Sequence, residues 1–269
     1  MKSVKFLVLA CSVLMTALTL SGPARAFEIK SVTSPGGITA WLVEDRTVPL
    51  LAMSFSFRGG AAGDPEGKEG LSHYLSGMLD EGAGDLDSTA FQAAIQKSSV
   101  KLSYDTERDE FRGDLQTLSA NRDEAFRLLK LSLNQPRFDP EPLERIRNQI
   151  LLGLRSDAED PENIAAAAWM KTMFGAHPYG RRTKGTEEGI NAVKGEDLKA
   201  LTQRLFARDG LLVTVVGDID EETLKAKLDE VFGGLPETSS MPDTPEAEVT
   251  KGPKVDVIDR NIPQSVIQF

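Results

Sequence analysis

The sequence predicts an α+β fold: a two-layer arrangement in which a mixed sheet is covered by helices. Three patterns predict it. Apolar residues alternate with polar ones in short runs, as in "LLAMSFSF" (50–57), which is the period of a half-buried strand. Elsewhere they recur three and four apart, as in Phe126, Leu129 and Leu133, the stripe of an amphipathic helix. Strands and helices also come in clusters rather than in strict alternation.

In chain order, "FEIKSVTSPGGITAWLVED" (27–45) reads as a β-hairpin turning at Pro35-Gly36-Gly37. Leu51, Met53, Phe55 and Phe57 mark the buried face of the next strand, and a Gly-rich charged loop follows it. Helices are expected from about Leu71 and from Thr89 to Ser98, then two strands turning near Glu107. Asn121 opens an N-R-D-E capping pattern before a helix to Leu133. Two more helices, Pro140 to Ala158 and Glu162 to Phe174, precede a loop, "HPYGRRTKGT" (177–186). Leu198, Leu201 and Leu205 stripe another helix, "GLLVTVVGD" (210–218) reads as a buried strand, and Asp220 caps a last helix running to Phe232.

Residues 1–26 stand apart from this core. A basic start, a largely apolar run from Phe6 to Leu20 and an A-x-A ending form the anatomy of a signal peptide cleaved near Ala26. The run is short for a membrane span. Cleavage removes Cys11, the only cysteine, so the mature protein would have no disulfide and no thiol chemistry. It also removes Lys2, Lys5 and Arg25, lowering the bases from 31 to 28 against 41 acids, a net charge of −13. Such a surface argues against nucleic acid and against anionic membrane as partners. Export without disulfides points to a bacterial periplasm.

After a domain spanning 27–235, residues 236–253 hold four prolines, five Ser/Thr and four acids. They read as a solvated linker with a reach of about 50 Å. Beyond it the chain repeats: "VEDRTVPLLAMSF" (43–55) aligns with "VIDRNIPQSVIQF" (257–269) without gaps, sharing Val, Asp, Arg, Pro and Phe. Residues 254–269 therefore read as the first strands of a second homologous domain, truncated at Phe269, and the chain as a fragment of a longer one.

The chemistry turns on "GLSHYLSGMLDEG" (70–82). Leu71, Tyr74, Leu75, Met78 and Leu79 form the apolar stripe, with His73, Ser76, Gly77 and Asp80 opposite. Two metal ligands on one helix need i, i+3 or i, i+4 spacing. From His73 these positions are Ser76, which cannot act as a carboxylate base, and Gly77, which has no side chain. A structural zinc site is worth about 10–16 kcal/mol. One imidazole's share, about 3–4 kcal/mol, corresponds to millimolar affinity. Asp80, Glu81 and Asp85 offer carboxylates, but no spacing demands them. Asp80-Glu81-Gly82 and Asp105 to Glu110 read as solvated turns. His177 reads as a loop-anchoring hydrogen bonder, and Gly59-Gly60 and Gly233-Gly234 as turns.

"GLSHYLSGML" resembles the inverted H-x-x-E-H motif of the insulinase-like (pitrilysin) zinc metallopeptidases. In that resemblance His73 matches the first histidine, Ser76 stands at the base glutamate and Gly77 at the second histidine. "ERIRNQILLGLRSDAEDP" (144–161) resembles the segment that carries the third ligand, with Gly153 at the ligand and Ile146 at a further acid. "HPYGRRTKGTEEGI" and "LLVTVVGDID" also resemble family segments, so the likeness runs from about Phe27 to Phe269.

The resemblance implies an insulinase- or processing-peptidase-like domain, with two homologous halves joined by a linker. With only His73 retained, it implies a non-catalytic subunit with no catalytic residue, no metal and no cofactor of its own. Zinc would reside in an insulinase-like partner, the two forming a heterodimer that encloses peptide substrates. Two alternatives are a standalone peptide-binding or assembly protein and a peptidase with rebuilt metal ligands.

Overall fold

The computed structural model describes residues 28–252 and 254–269. The expected signal peptide and its cleavage position lie outside these residues. Among them, six strands form a single sheet: β1 (Ile29–Thr33), β2 (Thr39–Glu44), β3 (Leu50–Arg58), β4 (Lys101–Thr106), β5 (Glu110–Leu118) and β6 (Leu212–Gly217). Their order is β1-β2-β6-β3-β5-β4. The sheet is mixed because β2 and β6 run parallel while the other neighbours are antiparallel.

Eight helices complete the described fold: α1 (Leu71–Ser76), α2 (Ser88–Lys97), α3 (Arg122–Asn134), α4 (Pro140–Glu159), α5 (Pro161–Phe174), α6 (Glu187–Ala192), α7 (Gly195–Leu205) and α8 (Glu221–Phe232). None is long and apolar enough to cross a membrane. The expected two layers follow from the strand pattern. Leu51, Met53, Phe55 and Phe57 of β3 are buried beneath the helices, while Leu50, Ala52 and Ser54 face outward.

The core between the layers is aromatic. Phe57 packs on Phe206 with ring centroids 4.8 Å apart, and Phe55 meets Phe232 edge-on at 5.5 Å. Gly113 lies directly across from Phe55 in the β3–β5 ladder. The Phe55 ring occupies the space above it, so a Cβ there would sit 2.1 Å from the ring carbon Cζ.

Most expected elements appear within a residue or two, and Asp220 caps α8 by accepting from Thr223 N–H at 2.8 Å. Three expectations need correcting. The strand at 210–218 is buried on one face only: Val213 and Val215 are covered, whereas Leu212 is 66% exposed and Val216 48%. A run of apolar residues hides that alternation, because leucine and valine occupy both faces. Asn121 makes no side-chain cap to α3; its amide donates instead to Ser98 O at 2.7 Å. Finally, residues 254–269 form no strand among the described residues and are exposed. A strand needs a neighbour to pair with, and none of the six accepts this segment.

The 236–253 segment has no regular structure, yet it is fastened to the domain. Ser239 Oγ donates to Arg204 O at 2.9 Å, Met241 packs against the core, and Thr250 N–H reaches Met173 O at 3.0 Å. His177 takes part in the same fastening. Its Nδ1 accepts from Tyr179 N–H at 3.1 Å, and its Nε2 lies 3.0 Å from Pro245 O. The loop-anchoring role expected of His177 is what the geometry has, with the proton placed on Nε2 by the partner it must reach.

Replacing Gly113 by alanine is expected to destabilise the fold by about 1–3 kcal/mol through overpacking. Urea denaturation checks this, and the penalty should shrink in a Phe55→Leu background, where the ring is gone.

Candidate functional site

Helix α1 is only six residues long, too short to hold itself, so its position comes from what grips it. Asp64, on the loop after β3, is almost fully buried. One carboxylate oxygen accepts from Ser72 N–H at 3.0 Å and Ser72 Oγ at 2.6 Å, and the other from Gly70 N–H at 2.9 Å. Burial pushes its carboxyl up to about 6, against the pull of these donors. Gly70 adopts φ +96°, and a Cβ there would lie 2.6 Å from Lys184 O. The glycine thus lets the 184–185 loop close against the start of α1. The stripe Leu71, Tyr74, Leu75, Met78 and Leu79 is buried as the periodicity predicts.

His73 is half-buried on the other side. Burial holds its pKa below the usual imidazole value, and Lys184 acts in the same direction against weaker opposition from Asp105 and Asp157. Both effects favour the neutral imidazole. Ser76, expected on the open polar face, is instead buried. Its hydroxyl donates to His73 O at 2.8 Å, one turn back along its own helix. Gly77 faces α4: a Cβ there would stand 3.1 Å from Ile146 Cγ2, and Ile146 is buried. The structure thus brings together two positions singled out in the sequence, and what they form is an apolar contact.

Gly153 lies two turns further along α4, exposed, with no atom within 4 Å of where a Cβ would be. Asp157, one turn beyond it, is near enough to bear on His73. That carboxylate is held by Lys184 Nζ at 2.7 Å. Among the described residues no three His, Cys, Asp or Glu side chains converge where a metal ion could sit.

Asp80 and Glu81 do not lie in a solvated turn. Glu81 is 7% exposed and receives both terminal nitrogens of Arg145, at 3.2 and 2.5 Å, together with Ser88 Oγ at 2.6 Å. Asp80 accepts from Gln92 Nε2 at 3.1 Å, and burial raises its pKa, helped by neighbouring Glu81. The two carboxylates fasten the end of the motif segment to α2 and α4. Local sequence could not reveal this, since Arg145 lies 64 residues away. In the Asp105 to Glu110 segment Asp105, Glu107 and Asp109 are exposed, as expected of a solvated turn, whereas Thr106 is buried and Arg108 and Glu110 are partly covered.

Beside α1 runs β4, the last strand of the sheet. Glu107 N–H crosses to Glu110 O at 2.9 Å, but Thr106 N–H turns to the Asp105 carboxylate at 2.8 Å. Antiparallel ladders alternate, so Tyr104 and Leu102, like Thr106, direct their backbone groups away from β5. No described strand pairs with that outer edge.

This fold has known counterparts. Residues 41–187 match the family described as insulinase (peptidase family M16), and residues 192–269 match the one described as peptidase M16 inactive domain. The first match alone covers more than half of the chain, which therefore belongs to the insulinase family, peptidase family M16. A Helicobacter pylori protein named "non-peptidase homolog YmxG" is 26% identical over 227 residues, covering 84% of this chain and 52% of its own length. The chain thus spans about half the length of the curated relatives it matches. The crystal structure of a peptidase M16 inactive domain from Pseudomonas fluorescens superposes with a TM-score of 0.76 at 24% identity, over 82% of this chain and 54% of that one. The periplasmic protease PqqL from Escherichia coli shares the fold with a TM-score of 0.70 at 14% identity, over 82% of this chain and 26% of its own.

The buried Asp64 generates a pH prediction. Its folded-state pKa, about 6, lies above the ordinary 3.8, so the folded form holds the proton more tightly. Its contribution to stability is fully present below pH 4 and is lost as pH rises through 6. Relative to Asp64→Asn, the wild type should lose on the order of 2–3 kcal/mol over that window, read from denaturation midpoints at each pH.

Proposed function

We propose that this chain belongs to a non-catalytic member of the M16 family, exported to the periplasm, that holds extended peptides for a zinc-bearing partner subunit. The observation that carries the reading is the packing of Gly77 on Ile146. Where zinc peptidases of this family carry an imidazole and, commonly, an acid, a residue with no side chain faces a buried hydrocarbon, and a Cβ at Gly77 would stand 3.1 Å from Ile146 Cγ2. His73, the one retained ligand type, is a single neutral imidazole beside an ion pair that is already closed.

Peptide holding follows from the open edge of β4. An extended chain laid along it would satisfy the outward backbone groups of Leu102 and Tyr104 by strand addition, a recognition mode that tolerates many sequences. Because α1 packs on β4 and Asp105 bears on His73, such a peptide would run past the altered motif. A zinc-bearing partner would have to meet it there. The leader anatomy of residues 1–26 supports export. The name of the H. pylori relative, a non-peptidase homolog, supports the absence of hydrolysis.

The test uses the full-length mature protein. Elemental analysis is expected to find no stoichiometric zinc, His73→Ala should leave metal content unchanged, and unfolded peptide should survive incubation. Adding an M16 subunit with an intact H-x-x-E-H motif, encoded beside this one, should produce cleavage that exceeds what either subunit gives alone. Chelator-sensitive cleavage by this protein on its own would overturn the reading in favour of rebuilt ligands. Peptide binding with no gain of activity from any partner would leave a standalone binding protein.

A further inference from the structure

Beyond the β4 edge, a cleft of about 170 Å³ opens between α4, α5, the β4–β5 turn and the 180–184 loop. By the share of volume a water takes in the liquid it has room for about six waters, enough for one side chain or a chain terminus. Its wall carries Arg108, Arg181, Arg182 and Lys184, and its apolar lining comes from Leu154, Ala167 and Met170.

The charge there runs against that of the whole chain, which has 41 acids to 31 bases. One carboxylate, Asp157, lines the cleft, and Lys184 neutralises it at 2.7 Å. Among the described residues none of the three arginines is in an ion pair. Arg181 uses one N–H on Asp64 O at 3.1 Å. Arg108 Nε is shielded from solvent and has no acceptor. Of the two acids that flank it in sequence, Asp109 is occupied by Tyr179 Oη at 2.6 Å and Thr244 Oγ1 at 3.3 Å, and Glu107 forms no ion pair with it among the described residues. A buried guanidinium N–H without an acceptor costs free energy, and three guanidinium groups around one small space make a site for a planar anion.

We propose that this cleft binds a carboxylate of the peptide held on β4, either an acidic side chain or the free C-terminus. The placement fits, because Arg108 follows β4 by two residues and Lys184 bears on His73. A strand-added peptide therefore reaches the cleft as it leaves the edge. The apolar lining would take the methylenes behind the carboxylate. The proposal refines the peptide-holding reading by giving it a preference for acidic segments, and it rests on that reading only for the source of the carboxylate.

Two measurements keep the ideas separable. In the first, N-acetylglutamate and N-acetylglutamine are titrated into the full-length mature protein while the arginine Nε–H resonances are followed by NMR. The acid should give saturable shifts at millimolar concentration. The amide should not, and Arg108→Gln and Arg182→Gln should each abolish the effect while leaving thermal midpoints unchanged. Equal shifts with inorganic phosphate, or none with the acid, would overturn the carboxylate assignment.

In the second, fluorescent unstructured peptides are compared in four forms, with Glu or Gln inside and with a free or amidated C-terminus. A preference of about tenfold for one acidic form over its neutral counterpart, lost in Arg108→Gln, identifies the source. Peptide binding with no acidic preference sinks the cleft proposal and leaves peptide holding intact. Acid-specific arginine shifts with no peptide binding sink peptide holding and leave the cleft.

Discussion

A carboxylate taken out of water holds the motif helix in place. Asp64 gathers Gly70 N–H, Ser72 N–H and the Ser72 hydroxyl, and its own carbonyl accepts from Arg181. Helix α1 has too few turns to persist alone, so the orientation of His73 depends on this clamp and on the apolar stripe beneath it. The same clamp draws the 180–185 loop inward, and with it come Lys184 and the arginines of the cleft. Asp64 thereby bridges both faces of the region, its carboxylate holding the altered motif and its backbone carbonyl the loop that carries the basic pocket.

Around α1 the polar groups are largely engaged with one another. Glu81 is taken by Arg145, Asp157 by Lys184, and Ser76 by the backbone of its own helix. A group so committed is costly to redirect toward a substrate. The uncommitted ones are the outer backbone of β4 and the guanidinium groups near it. The capacity to bind is thus concentrated at the sheet edge and the cleft, while the centre of the former motif is occupied by hydrocarbon.

The sheet and its covering helices were legible because burial writes a period into the chain. Phe55 and Phe57 alternate with serines, and Leu198, Leu201 and Leu205 recur at helical spacing. The motif position was legible for a similar reason, since His73, Ser76 and Gly77 share one helix and spacing alone shows what cannot meet a metal. Long-range polar pairing was hidden. Nothing local marks Asp64 as buried or couples Glu81 to Arg145, and Ser76, opposite the apolar stripe on the helical wheel, is buried all the same. The one-sided burial of β6 escaped because Leu212 and Val216 are apolar yet exposed. The fastening of 236–253 escaped because a proline-rich composition reports backbone stiffness and says nothing of what the segment lies against.

The close approach of Gly77 to Ile146 also constrains the paths by which such a site could change. A bulky imidazole at position 77 would have to displace the isoleucine methyl group 3.1 Å from its first carbon. Shrinking Ile146 first would open a void beneath the helix with no immediate benefit. The two positions are therefore sterically coupled. An imidazole at 77 and a smaller residue at 146 would have to arrive together for either to be accommodated without cost, a coupling built from one methyl group and one missing side chain.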